Sequence, residues 1–218
     1  MSSRPSSSKK TIFSLAASHD YIAYDETSES YLNLAGRYGY LELPYYISQE
    51  LEHAGKQVRP SCKDMLDAYV TPILLEKARL AKLPVPEFFI SNGYFEAPVI
   101  VDPINPFMIK CQVVLKQSQQ ERIAKSKTRN FTYAICCQSL PPNARVKYFR
   151  SVLGWCIYSK YRSLSEMVWR VFRLPLARVR IIQLENGDAL LSDIASLPFE
   201  KLNQRELDYI QERVRWGE

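Results

Sequence analysis

The chain has 218 residues, 46% of them hydrophobic and 24% charged, with seven glycines and thirteen prolines. These proportions exclude a disordered or collagen-like chain and leave room to bury a sizeable core. The net charge is +6, and no apolar run reaches the roughly 18 uncharged residues of a membrane helix.

Residues 1–10 carry serines and positive charge with no apolar stretch behind them. They read as a disordered, solvated tail rather than an export signal, ahead of a single domain over 11–218. Five cysteines, Cys62, Cys111, Cys136, Cys137 and Cys156, are odd in number and scattered, with no CxxC pair. Free thiols in a cytoplasmic protein fit this pattern better than a disulfide frame or a zinc site.

In chain order, Tyr31–Ala35 predicts a short strand ending at Gly36-Arg-Tyr-Gly39. A helix follows, with Pro44 in its first turn, Ile47, Leu51 and Ala54 on one face, and Gly55 as its stop. Gln57–Arg59 reads as a second strand and Asp64–Val70 as a helix. Thr71-Pro72 then has the form of a fresh N-cap with proline at N1, opening a helix that ends before Pro84. The proline-rich segment Pro84–Pro106 is extended, with strands at Phe88–Ile90 and Val99–Val101. Phe107–Leu115 and Phe131–Cys137 are apolar enough for strands, and between them Gln117–Asn130 is a short helix or an exposed loop. Ser163-Leu-Ser-Glu166 has the form of a capping box, with Leu164, Met167, Val168, Val171 and Phe172 on one helical face. Val179–Leu184 and Ala189–Ile194 flank Asn186-Gly187, a strong hairpin signal. Asn203 with Glu206 opens a final helix carrying Leu207, Ile210 and Val214. The class is α/β, bordering on α+β, with one main mixed sheet flanked by helices and a closing hairpin and helix.

Charge is unevenly placed. Lys110–Arg180 holds 15 Lys/Arg against 2 acids, and the remainder holds 14 against 21. Such a block attracts polyanions or acidic ligands unless it pairs with the acidic flanks. Arg178 and Arg180 are two apart in a strand, roughly 7 Å, a spacing that suits carboxylate or phosphate oxygens. Arg129, Arg145, Lys147 and Arg150 join them if the basic strands come together. Asp102 and Asn105 sit in a proline-rigidified turn that Asx bonding explains. Gly36-Arg37-Tyr38-Gly39 precedes a helix, where glycines let a backbone approach a phosphate; a plain turn explains the same residues. Tyr38, Tyr40, Tyr45 and Tyr46 around it form either a stacking platform or ordinary packing.

Catalytic chemistry has few candidates. His19 and His53 are the only histidines, and no spacing ties His53 to Cys62 as a nucleophile pair. HExxH, GxSxG and the phosphate-loop lysine are missing, so no catalytic residue, metal ligand or cofactor is predicted.

Tyr31-Leu-Asn-Leu-Ala-Gly-Arg-Tyr-Gly-Tyr40, Tyr45–Gly55 and Val58-Arg-Pro-Ser61 resemble the RimK-like ATP-grasp N-terminal domain, where a tyrosine-rich turn and helix precede a V-x-P-S strand. Val171–Arg180 with Pro198-Phe-Glu-Lys-Leu202 resembles its closing hairpin and helix. The resemblance implies a domain that precedes a ligase using ATP and Mg²⁺ to join a carboxylate to an amine, with substrate or carrier recognition as its own role. Glu76–Phe89 echoes the helix and strand that open an ATP-grasp fold, without that fold's glycine-rich loop or clustered acidic ligands. The expectation is a non-catalytic accessory domain that binds an acidic or phosphate-bearing ligand, a peptide or carrier substrate, or a ligase partner. Its anion contacts would be Arg37, Arg129, Arg145, Lys147, Arg178 and Arg180, bordered by the four tyrosines. The alternatives are an RNA-binding protein, with tRNA as the RNA, using the 110–180 block, and an enzyme with an unfamiliar site. A membrane partner is not expected.

Overall fold

The computed structural model describes residues 19–216 except 106, 107 and 109. The N-terminal tail and part of the strand expected over Phe107–Leu115 therefore lie outside the described residues. Strands β1 (Ile22–Asp25) and β2 (Ser30–Asn33) form a hairpin. They lead into helix α1 (Leu43–His53), with Pro44 in its first turn as the sequence predicts. Gly55, at φ +72°, lets the chain turn out of α1, and Lys56 donates to the Leu51 carbonyl to close the last turn. Strand β3 (Val58–Arg59) then pairs parallel to β2. The buried faces of Ile47 and Leu51 meet Val58.

Helix α2 (Cys62–Tyr69) starts earlier than predicted because Ser61 and Asp64 form a complete capping box. Helix α3 (Thr71–Leu80) has Pro72 in its first turn, but Thr71 does not cap it. The Thr71 hydroxyl donates instead to Asp193, at 3.4 Å.

Strands β4 (Phe88–Ser91), β5 (Val99–Pro103), β6 (Gln112–Val114) and β7 (Ile135–Ser139) make a second sheet in the order β4-β7-β5-β6. Helix α4 (Gln120–Lys127) resolves the ambiguous 117–130 segment. It covers one face, where Val99, Val101, Ile135 and Cys137 pack with Ile123 and Ala124. The other face carries Ile100, Asp102, Cys136 and Gln138, all buried. Burial on both faces explains why β5 and β7 read as continuous apolar runs rather than alternations. It also places the adjacent thiols Cys136 and Cys137 in different cores.

Strands β8 (Arg145–Val152), β9 (Leu176–Gln183) and β10 (Ala189–Ser196) form a third, antiparallel sheet in the order β10-β9-β8. The Asn186-Gly187 turn joins β9 to β10, with Gly187 at φ +92°. Ala177, Val179 and Ile181 face helices α2, α3 and α5 (Arg162–Phe172) through the largest core cluster. Leu164, Val168 and Phe172 of α5 are buried as its periodicity predicts. Its predicted capping box is not formed. A 3-10 turn over Ser159–Tyr161 already opens the helix, so Ser163 falls inside it and Glu166 pairs with Arg170. Helix α6 (Gln204–Gln211) carries the expected Asn203–Glu206 capping box, and β11 (Arg215–Trp216) returns to pair with β1. The α/β class stands, with three sheets where the sequence suggested one main sheet.

Candidate functional site

The 36–39 loop is a structural turn. Gly36 has φ +73°, and a Cβ there would sit 1.9 Å from the Leu197 carbonyl oxygen. Tyr38 is fully buried and donates its hydroxyl to the Asn33 carbonyl at 2.7 Å. Gly36 therefore serves a close approach between two backbones, not a phosphate. Gly36→Ala is expected to cost roughly 1–3 kcal/mol, as forced overpacking does; chemical denaturation measures it, and an unchanged midpoint would contradict this reading.

The four tyrosines do not form one platform. Tyr38 stacks on Tyr69 inside the core, Tyr45 is half-buried and edge-on to Tyr46, and Tyr40 and Tyr46 are exposed. Arg37 is exposed and paired with Glu200. Arg129 lies on the loop after α4, in a left-handed run with Asn130 and Phe131, on the other side of the second sheet from Arg145 and Lys147.

Arg180 is the clearest correction. Although it shares a strand face with Arg178, only 2% of it is exposed, so it is no surface anion contact. Its guanidinium donates two parallel hydrogen bonds to Asp102, at 2.8 and 2.7 Å. Its Nε donates to the Ser192 hydroxyl at 2.9 Å, which in turn donates to Gln138 Oε1 at 2.8 Å. Gln138 closes the ring through its amide, 2.7 Å from Asp102. A bulge in β10 sets two residues, Ser192 and Asp193, against Arg180, aiming both at one cation. Burial opposes the Arg180 charge, but Asp193 and Asp102 outweigh it and raise its pKa. The network ties the second sheet to the third and is satisfied within itself.

The remaining cations define the candidate site. Arg145 and Lys147, on β8, line a cavity of about 730 Å³ with Asn143, Gln183, Glu185 and Gly187 at the end of the third sheet. That volume lies in the range of small-ligand sites, ~300–1,000 Å³. Among the described residues neither cation has an ion-pair partner; Glu185 takes a 3.4 Å contact from Asn143. Arg178 is exposed and lies over the Tyr148 ring at 5.2 Å. Arg150 is paired with Glu206 at 2.9 Å. A second cavity, of about 570 Å³, holds Arg213 and Arg215, but each faces a carboxylate, Glu212 and Glu26. Free positive charge thus marks the first cavity.

Cys62 is no activated nucleophile: burial and the neighbouring Glu52 push its thiol up to about 11, opposite to what nucleophilic cysteines need. Among the described residues, no His/Cys/Asp/Glu cluster could hold a metal ion and no helix is long and apolar enough to cross a membrane.

The model of the RimK-like ATP-grasp N-terminal domain matches residues 18–213. The chain belongs to this family. The fold of this RimK-like domain is similar to a RimK domain ATP-grasp protein from Sphaerobacter thermophilus, at 16% identity and TM-score 0.56, over 76% of this chain and 71% of that one. It is also similar to the ATP-grasp ligase PsnB, solved with a minimal precursor, Mg and ADP, at 16% identity and TM-score 0.51, over 73% and 61%. A third similar structure is D-alanine–D-alanine ligase from Bacillus anthracis complexed with ATP, at 10% identity and TM-score 0.55, over 76% and 69%. At these identities the likeness is one of fold. No curated protein matches the RimK-like chain in sequence.

The sequence reading missed Asp102 as the partner of Arg180 and missed strand β8 altogether. A signal for the first was present: Arg180 interrupts the β-branched run Val179–Ile182, and Asp102 directly follows the run Val99–Val101. A charge so placed in a buried strand must be paired.

Proposed function

We propose that this RimK-like ATP-grasp N-terminal domain is a non-catalytic recognition domain that holds a carboxylate-bearing peptide for an ATP-grasp ligase. The observation that carries the reading is the pair Arg145 and Lys147, two cations on one strand face without ion-pair partners among the described residues, lining the same cavity. Cations two residues apart on a strand stand roughly 7 Å apart, a spacing that alternate carboxylates of an extended peptide reproduce. Family membership supports the ligase connection, and PsnB, of similar fold, was solved with a precursor peptide and AMPPNP. The domain needs no cofactor of its own for this role.

A fluorescent acidic peptide titrated against the purified protein tests the reading. Binding is expected to weaken with salt, because the contacts are solvent-exposed charges, and to fall by about tenfold or more in Arg145→Glu/Lys147→Glu, since charge reversal adds repulsion to the lost attraction. Equal binding by the double variant would overturn it, and so would a tRNA pool that binds through the same two residues while the peptide does not. Arg178→Ala belongs in the series. Arg180 does not, because its substitution perturbs the core.

A further inference from the structure

Strand β8 is an edge strand of the β10-β9-β8 sheet, bridged to Trp155 at its last residue, Val152. Val152 bonds outward, its N–H to the Trp155 carbonyl at 2.9 Å and its carbonyl receiving Trp155 N–H at 2.8 Å. In an antiparallel strand outward-facing backbone groups recur at every second residue. The N–H and C=O of Val146, Tyr148 and Arg150 therefore point away from β9, and none bonds to the backbone of another described loop or turn. An open row of donors and acceptors of this kind is a template for a further strand.

Charge says what kind of strand. Arg145 and Lys147 stand on the helix-side face of the edge. On the opposite face Arg150 pairs across to Arg178 in β9, and Arg178 lies over the exposed Tyr148 ring. Glu206, 2% exposed, answers Arg150 alone. Carboxylates at every second residue of an extended peptide all lie on one face, where they meet Arg145 and Lys147, and the side chains between them lie over Tyr148 and Arg178; a basic segment would be repelled on either face.

We propose that an acidic peptide in extended conformation adds to β8 as a fourth strand. Its backbone bonds to Val146, Tyr148 and Arg150, its alternate carboxylates reach Arg145 and Lys147 on one face, and the side chains between them lie over Tyr148 and Arg178 on the other. Main-chain pairing supplies affinity and the side-chain alternation supplies specificity. This deepens the proposed function and rests on it: the same cations are used, and the new element is the hydrogen-bonded edge.

The test leaves the protein unaltered and changes the peptide. A labelled octapeptide of alternating glutamate and valine is compared with two versions N-methylated at one or the other set of alternate residues. Both methylated peptides keep every charge. In an added strand only one set of amides faces β8, so one version is expected to lose binding by about tenfold or more while the other binds as the parent does. If the parent binds and both methylated versions bind equally well or equally poorly, strand addition is overturned and the cation site of the proposed function stands. If the parent does not bind at low salt, both fall together.

Discussion

Asp102→Ala is expected to destabilise the protein by up to about 3–5 kcal/mol, the cost of breaking a buried ion pair, with Asp193, 4.0 Å away, left as the carboxylate facing Arg180. The size follows from what remains behind. Arg180 would keep its charge in a site where 2% of it reaches solvent, and the bidentate acceptor at 2.7–2.8 Å would be gone. Gln138 would also lose the acceptor of its amide. The pair itself is worth far less than its rupture, since desolvation offsets much of the attraction. Asp102→Leu/Arg180→Met is therefore expected to recover most of the loss. Urea denaturation reads this as a large fall in midpoint for the single variant and a partial return for the double, at constant slope. Two variants of equal, large destabilisation would show that the ring acts through shape rather than charge.

Stability should also fall as the pH rises from about 4 to about 7, through Asp193. Burial pushes this carboxyl up to about 7, with Arg180 opposing the shift and Asp102 adding to it. The arrangement explains the direction: one guanidinium faces two carboxylates, Asp102 takes both parallel bonds, and the nearest Asp193 oxygen stands 4.0 Å from Arg180. The folded state therefore holds a proton that the unfolded chain releases near pH 4. Below that value both states are protonated and the contribution is complete. Between the two values it is lost, at no more than about 1.4 kcal/mol per pH unit; above 7 the loss is constant. Asp193→Asn should flatten the profile in this window. Asp67 titrates in the opposite sense and elsewhere. Burial would raise it, but Lys63 and Lys77, at 2.6 and 3.0 Å, hold it below the usual range, so its contribution disappears only in stronger acid. Thermal melts of both proteins from pH 4.5 to 8 separate the two; identical profiles would remove Asp193 as the cause.

Local signals carried much of the fold. Pro44, Gly55, the Asn186-Gly187 turn and the Asn203–Glu206 box act within a few residues of themselves, and each is where the sequence put it. The α5 box failed for the same local reason: Ser159–Tyr161 begins to turn first, and Ser163 arrives too late to cap. Strand β8 was hidden because its first half faces solvent and its second half the core, so its alternation changes character at Phe149. The candidate site was legible as chemistry, in the basic block holding Arg145 and Lys147. It was not legible as geometry, because the partner that removes Arg180 from it lies 78 residues away. Three sheets rather than one follow from the same limitation, since strand pairing joins segments that local pattern cannot connect.

Cys136 and Cys137 are neighbours in the chain and strangers in space. One lies in the large core among the helices and the third sheet, the other beneath α4. Burial pushes both thiols up, Cys137 to about 12, so neither reacts while its cover is closed. A thiol reagent consequently meets two clocks set one peptide bond apart. The Cys137 clock runs when α4 lifts from the second sheet, and the Cys136 clock runs only when the sheets themselves part.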